Sequence, residues 1–315
     1  MTTTAPPPEY AAITEACGFL DRSERGKLAL TGGSAKEFLQ GQVTNDVESL
    51  SPGTGCYAAF LTPKGKMLGD LRILDTGTEL LLDTERVALQ ELFNMIRRFS
   101  IGFQVELHKR TLECGLLSLI GPEAEAVAGV TQLPAPEYSH VPVEIGGIRA
   151  RAIRTDVGID VLCDAAHTDP VRAGLEDAGA APVSEAAVEC LRVEHGRPRY
   201  GAELDETVIP QEAGLNERAV SFTKGCYVGQ ETVARLHYRG KPNRNLRGLR
   251  LAGAATIGDD VTFEGRAVGH LGTIVESPEL GRIALALIRR EAGPGAEVIV
   301  GPGAVGATVV ELPFR

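Results

Sequence analysis

Cys56-Tyr57-Ala58-Ala59-Phe60-Leu61, then Thr62-Pro63-Lys64-Gly65-Lys66, then Leu68-Gly69-Asp70-Leu71-Arg72-Ile73-Leu74 reads as two apolar, strand-like runs joined by turn residues. So short a link makes a hairpin. Towards the N-terminus, Ser34 followed by Glu37 has the form of a capping box, and Phe38, Leu39 and Val43 behind it give one apolar stripe. A short helix is expected there. Towards the C-terminus, the run Leu80 to Leu82 gives way to Val87, Leu89, Leu92, Phe93 and Ile96 at helical spacing. Pro134 to Pro142 breaks the pattern. Strand-like Val143 to Arg154 and Gly158 to Cys163 follow, then helices from Pro170 to Ala178 and from Ser184 to Gly196, the second carrying Val188, Leu191 and Glu194. Hairpins mixed with isolated helices make an α+β body, not a βαβ repeat around a parallel sheet.

After Arg250 the texture changes to short apolar stretches cut by Gly253, Gly258, Gly265, Gly269, Gly272, Gly281, Gly293 and Gly295. That pattern predicts a small β-barrel. Its expected hairpins are Val261 to Phe263 with Ala267 to Ile274, and Ile283 to Ile288 with Glu297 to Val300, closed by Ala307 to Leu312. The spelling Gly301-Pro302-Gly303-Ala304-Val305-Gly306 matches a dinucleotide-binding fingerprint, but nine residues after Gly306 cannot supply the helix and second strand that the fingerprint needs. It reads as a turn between barrel strands.

The 315 residues, 43% hydrophobic and 23% charged, fit a folded globular protein of two or three domains. With 32 Lys and Arg against 42 Asp and Glu, the net charge of −10 opposes binding to nucleic acid or an anionic membrane over the whole surface. Any anion site has to be local. No run approaches the about 18 apolar residues of a membrane helix, and the Thr- and Pro-rich start reads as a frayed tail, not as a secretory signal. Six scattered cysteines without a C-x-x-C pair suit reduced thiols in a cytoplasmic protein, and the six histidines show no paired ligand spacing, so no metal site is expected.

Lys224-Gly225-Cys226-Tyr227-Val228-Gly229-Gln230-Glu231-Thr232-Val233-Ala234-Arg235 is the most informative segment, with a helix expected from Gln230 onward. If Cys226 stood at that helix N-terminus with Lys224 and Arg235 nearby, the dipole and the cations would favour the thiolate. The alternative is a small buried hydrophobe in a turn. Arg239, Lys241, Arg244, Arg247 and Arg250 lie in a stretch, Thr232 to Arg250, free of Asp and Glu. They form a local positive patch for a polycarboxylate tail, a phosphate or RNA, or else a solvated linker. Sparse aromatic interleaving weakens the RNA reading. Glu194, near the end of its helix, can accept paired N–H groups from a heterocycle edge or be a helix-terminal surface acid. Asp70 is either a partly buried acid with a raised pKa or an edge-strand charge.

The eight residues Lys224 to Glu231, followed by Arg235, resemble the signature of the YgfZ family, folate-binding relatives of the glycine-cleavage aminomethyltransferase, or T-protein. The segments Phe38 to Val47, Tyr57 to Leu74, Arg192 to Pro198, Gly201 to Asp205 and Ile209 to Glu212 resemble the family's in order, over essentially residues 25 to 315. With the resemblance, the expected organisation is a flexible N-terminal tail and lead-in over 1–24, a folate-binding body of two intertwined subdomains over 25–243, and a C-terminal β-barrel over 244–315. The resemblance implies tetrahydrofolate or a one-carbon derivative as ligand, with Glu194 at the pterin-binding position. Arg192, Lys224, Gln230, Arg235 and Asn45 are further candidate binding residues, the basic stretch Arg239 to Arg250 would attract the glutamate tail, and Cys226 and Asp70 are the candidates for chemistry. By the same resemblance the role is assembly or repair of iron-sulfur enzymes, with such client proteins as partners. The aminomethyltransferases look to carry an acidic pair in the hairpin and to lack the cysteine motif, whereas this chain has Gly69-Asp70. The alternative is a folate-dependent aminomethyltransferase or demethylase with Asp70 as its acid.

Overall fold

A computed structural model of the chain describes residues 7–314. The chain passes between two compact units: the first comprises the residues up to Phe60, Asp70–Val188 and Thr223–Tyr227, the second Leu61–Gly69, Glu189–Phe222 and Val228 onward. Each is therefore built from three separate stretches of chain.

The elements open with α1 (Pro8–Glu15), β1 (Gly18–Asp21), β2 (Gly26–Thr31) and α2 (Ala35–Gln40). The hairpin strands β3 (Thr54–Leu61) and β4 (Met67–Asp75) follow, then β5 (Leu80–Thr84), α3 (Leu89–Phe99), β6 (Glu106–Lys109), β7 (Cys114–Ile120) and α4 (Ala124–Val127). Next come β8 (His140–Ile145), β9 (Ile148–Arg154), β10 (Gly158–Asp164), α5 (Thr168–Asp177), β11 (Ala181–Pro182) and α6 (Glu185–Glu194). The strands form a five-stranded sheet, order β3-β4-β5-β2-β6, and a six-stranded sheet, order β11-β1-β7-β10-β9-β8. In the second sheet β1 runs parallel to β11 and the other pairs are antiparallel. Ala29, Leu74 and Leu81 of one sheet and Ile153 of the other share a core cluster with Tyr138. Helix α5 buries Val171 and Leu175, four residues apart on one face, in the cluster of Leu117, Ile159 and Val161.

The second unit holds α7 (Asn216–Ala219), α8 (Gln230–Arg239) and the strands β12 (Arg244–Leu251), β13 (Asp260–Phe263), β14 (Arg266–Ser277), β15 (Gly281–Arg289), β16 (Glu297–Val300) and β17 (Val305–Val310). These close into a barrel in the order β12-β15-β14-β13-β16-β17, filled by Leu249, Val261, Leu271, Ala284, Val300 and Val309. A closed barrel leaves no strand edge unpaired.

The hairpin at 56–74, the helices near 89–99, 168–177, 185–194 and 230–239, and the turn at Gly301 stand where the sequence puts them. Four expectations change. The lead-in over 1–24 is structured from Pro8: α1 buries Tyr10 and Ile13, and β1 pairs with β7; residues 1–6 lie outside the described residues. Ser34 precedes α2 but forms no capping bond, because φ −103° and ψ 13° lie outside the extended region from which a capping side chain reaches back. Ile283 to Ile288 does not pair with Glu297 to Val300. The tight link that pairs Ser277 with Gly281 folds β15 onto β14, its other edge takes β12, and β16 pairs with β13 and β17. Finally, the basic stretch is not a linker, because from Arg244 it is the barrel strand β12. Arg244 pairs with Glu212 at 3.0 Å, Arg247 with Glu311 at 3.7 Å, and Arg250 lies over the Phe314 ring, so these three arginines of the patch are engaged within the unit.

Within the second unit the turn at the tip of the β3–β4 hairpin and the start of α8 meet backbone to backbone. Gly229, the residue before α8, has φ +85°, and a Cβ there would lie 2.6 Å from the Thr62 carbonyl oxygen. Gly229→Ala therefore combines a left-handed backbone with a clash against main chain. It is expected to cost roughly 2–4 kcal/mol in urea-monitored unfolding. Gly225→Ala, where a Cβ would meet nothing within 4 Å, should be near neutral. Equal effects would mean that the contact does not hold the hairpin tip.

Candidate functional site

Asp70 stands on β4 in the first unit and is 6% exposed. The Tyr57 hydroxyl donates to its Oδ2 at 2.5 Å, and the Thr84 hydroxyl donates to its main-chain carbonyl at 2.5 Å. Burial pushes the Asp70 carboxyl up to about 6; Glu85 also raises it, while the Tyr57 hydrogen bond and the Arg25 charge pull it down. Asp83, on the adjacent strand β5, meets the opposite fate. Its carboxylate takes Arg25 at 3.0 Å and Arg72 at 2.5 Å, and these guanidinium groups outweigh its burial and hold it down at about 2. Arg72 continues to Asp160 of the six-stranded sheet. Asp83 is thus held charged by its guanidinium partners, whereas Asp70 is a buried acid raised towards neutral pH and so a candidate for proton transfer. The partly buried acid is thus the reading of Asp70 that the structure bears out, and the edge-strand charge is set aside.

The loop after α2 and the motif segment Thr223–Tyr227 belong to the same unit. Lys224 Nζ donates to the main-chain carbonyls of Gln40, Val43 and Asn45 at 2.6, 2.8 and 2.8 Å. It also lies 5.1 Å from the Tyr227 ring centre. Burial lowers the ammonium to about 8, against the pull of Asp46, Cys56 and Glu48. All three of its protons have acceptors inside the protein. Asn45 is wired likewise: its Nδ2 donates to the Tyr57 carbonyl at 2.8 Å and its Oδ1 accepts from the Asp46 N–H at 2.9 Å. Cys226 is exposed, which sets aside the buried-hydrophobe reading. Nor does it stand at the helix N-terminus, since α8 starts four residues later at Gln230 with Gly229 as its cap.

In the second unit Glu194, the last residue of α6, is completely buried. This is not a surface acid. Its Oε1 accepts the Ser277 hydroxyl at 2.5 Å and faces the Cys190 thiol at 3.6 Å. Ser277 Oγ itself accepts the N–H groups of Glu279 and Leu280, so its single proton goes to Glu194. Arg192, expected to bind ligand, instead ties α6 to the barrel. Its guanidinium donates to Glu189 at 2.8 and 2.9 Å, to Glu203 at 2.9 Å, to Thr273 at 2.7 Å and to the Arg197 carbonyl. Five N–H donors are thereby committed. Glu203 in turn accepts the Thr273 N–H at 3.0 Å, where β14 departs from regular register. Gln230 opens α8, half-buried, and Arg235 is exposed on the same helix.

The first unit thus holds Asp70, Asn45, Lys224 and Cys226, and the second Arg192, Glu194, Gln230 and Arg235. Sequence reasoning missed Tyr57, Thr84, Ser277, Cys190 and Glu203. Among them only Tyr57 carried a readable signal: a turn centred on Lys64 brings residue 57 across from residue 71, beside Asp70. Among the described residues no cluster of three or more His, Cys, Asp or Glu could hold a metal ion, and no helix is long and apolar enough to cross a membrane.

The family model described as the GCVT N-terminal domain matches residues 3–224. An aminomethyltransferase of Rubrobacter xylanophilus is 32% identical over 97% of this chain and 85% of its own. One of Bacillus subtilis is 29% identical over 97% and 90%. A putative chloroplastic transferase of Arabidopsis thaliana is 28% identical over 94% and 70%. The crystal structure of the glycine cleavage system aminomethyltransferase T from Bartonella henselae superposes with a TM-score of 0.86 at 23% identity, covering 98% of this chain and 88% of that one, and so shares the fold.

Proposed function

This chain belongs to the GCVT N-terminal domain family, and on that premise we propose that it is a folate-dependent one-carbon transferase of the aminomethyltransferase or demethylase kind. The observation that carries the reading is Asp70: a buried carboxyl with its pKa raised to about 6 and one oxygen held by the Tyr57 hydroxyl. A carboxyl so poised takes or gives a proton at Oδ near neutral pH, where a group at its ordinary value of 3.8 would stay ionised. Tyr57 fixes the rotamer, and Thr84 fixes the backbone from which the carboxyl projects. Tetrahydrofolate supplies the nucleophilic nitrogen that accepts the one-carbon unit. Glu194 suits the polar edge of a pterin, because a buried carboxylate oriented by a serine hydroxyl is a pre-set acceptor for N–H groups. Arg192 and Lys224, with their donors committed inside the protein, orient the scaffold instead of the ligand.

The test is turnover. With tetrahydrofolate present, the protein should consume aminomethyl-lipoyl or N-methylated amine substrates and form a one-carbon folate, with a rate that rises through about pH 6 if Asp70 acts as base. No turnover of either class by a protein that binds tetrahydrofolate would remove the transferase reading. The second reading, a YgfZ-type accessory role in iron-sulfur enzyme assembly or repair, is favoured by one observation: the thiol of the motif, Cys226, is exposed. It predicts that Cys226→Ala leaves folate binding intact but abolishes support of iron-sulfur enzymes in cells. Unimpaired support would remove it.

A further inference from the structure

Two separate stretches of this chain, Gln40 to Asn45 and Thr223 to Tyr227, are joined by one ammonium group. The three acceptors on Lys224 Nζ are main-chain carbonyls at 2.6 to 2.8 Å. The first is the last residue of α2, whose C-terminal carbonyls have no partner inside the helix. The others belong to a loop rigid in its own right: Gln40 Oε1 accepts the Val47 N–H at 2.7 Å, and Thr44 exchanges two bonds with Ala59, its N–H donating to the carbonyl at 2.9 Å and its hydroxyl accepting the N–H at 2.8 Å. Three fixed carbonyl oxygens converging at such distances, with the Tyr227 ring nearby, are the surroundings that replace the hydration shell of a potassium or ammonium ion. We infer that Lys224 is a tethered monovalent cation: its ammonium fills a carbonyl nest in the 40–45 loop and so positions the segment bearing Cys226, and a free potassium or primary alkylammonium ion can occupy the nest once the side chain is removed. The claim concerns the first unit alone and does not depend on folate.

Lys224→Ala in the full chain, followed by amide hydrogen exchange, tests it. Exchange in residues 40–47 and 223–227 should accelerate about tenfold or more, and at matched ionic strength potassium or ethylammonium chloride should restore most of the protection, whereas tetramethylammonium, which cannot donate a hydrogen bond, should not. Unchanged protection in the variant, or equal restoration by tetramethylammonium, would overturn the inference. Should the variant fail to fold, the wild-type protein labelled with 15N-lysine decides. A caged ammonium exchanges its protons with water far more slowly than surface lysines do. No slow lysine ammonium signal would overturn it equally.

Discussion

Asp70→Asn is expected to lower turnover by about 10²- to 10⁴-fold while making the fold more stable. The two effects share a cause. Burial lifts the Asp70 pKa from 3.8 to about 6, so the folded protein holds a proton there that the unfolded chain has released. Through this group, wild-type stability falls as pH rises from about 4 to about 6 and stays reduced above, by roughly 2–3 kcal/mol at pH 7. Below about pH 4 both states are protonated and the difference vanishes. Asparagine keeps the shape and can still accept the Tyr57 hydroxyl, but it carries no charge to desolvate. Urea titrations of the two proteins at pH 4 and pH 7 should diverge only at pH 7, with the variant the more stable. A variant that is both active and less stable at pH 7 would contradict the account of Asp70.

Arg192→Met is expected to be among the most damaging substitutions for stability, at about 3–5 kcal/mol, because it leaves the almost fully buried Glu203 without its guanidinium, whereas Glu189 retains Arg199 at 3.1 Å. Glu203 also accepts the Thr273 N–H at the irregular point of β14, so the loss should spread from α6 into the barrel. Arg192→Met with Glu203→Leu should recover a large part of that loss, since the buried charge leaves with its partner. Failure of the double variant to regain stability in denaturant unfolding would show that hydrogen-bond geometry, not unpaired charge, dominates. The pH signature is opposite to that of Asp70. Arg192 and the Thr273 contacts hold Glu203 below its ordinary value despite burial, so its contribution is present at neutral pH and is lost as the solution is acidified.

Local pattern made much of the architecture legible. The hairpin of Tyr57 and Asp70 is marked by its turn residues, α8 by the glycine before Gln230, and the barrel by spaced glycines. Strand β12 was hidden because Arg244, Arg247 and Arg250, three apart, read as a charge run, although Leu246, Leu249 and Leu251 are buried along the same strand. Barrel pairing was misjudged between β15 and β16 because adjacency in a closed sheet depends on where both edges meet, which no local window contains. The site divides in the same way. Asp70 could be singled out as an acid among apolar neighbours and Glu194 as a carboxylate near a helix end, but their partners could not: Ser277 lies 83 residues from Glu194, and Asp83 reaches Arg25 across 58. Lys224 and Arg192 were taken for ligand contacts because a sequence shows a cation without showing what already satisfies it.

Calorimetric titration of the anaerobic protein with tetrahydrofolate, wild type against Glu194→Gln, tests the central claim most directly. Glutamine preserves the acceptor for Ser277 but replaces the carboxylate that would receive a pterin edge. Saturable binding by the wild type, weakened by about 1.5–3 kcal/mol or lost in the variant, is the predicted result. A folded wild type that takes up no tetrahydrofolate, or a variant that binds it as tightly, would contradict a folate-dependent function built on Glu194.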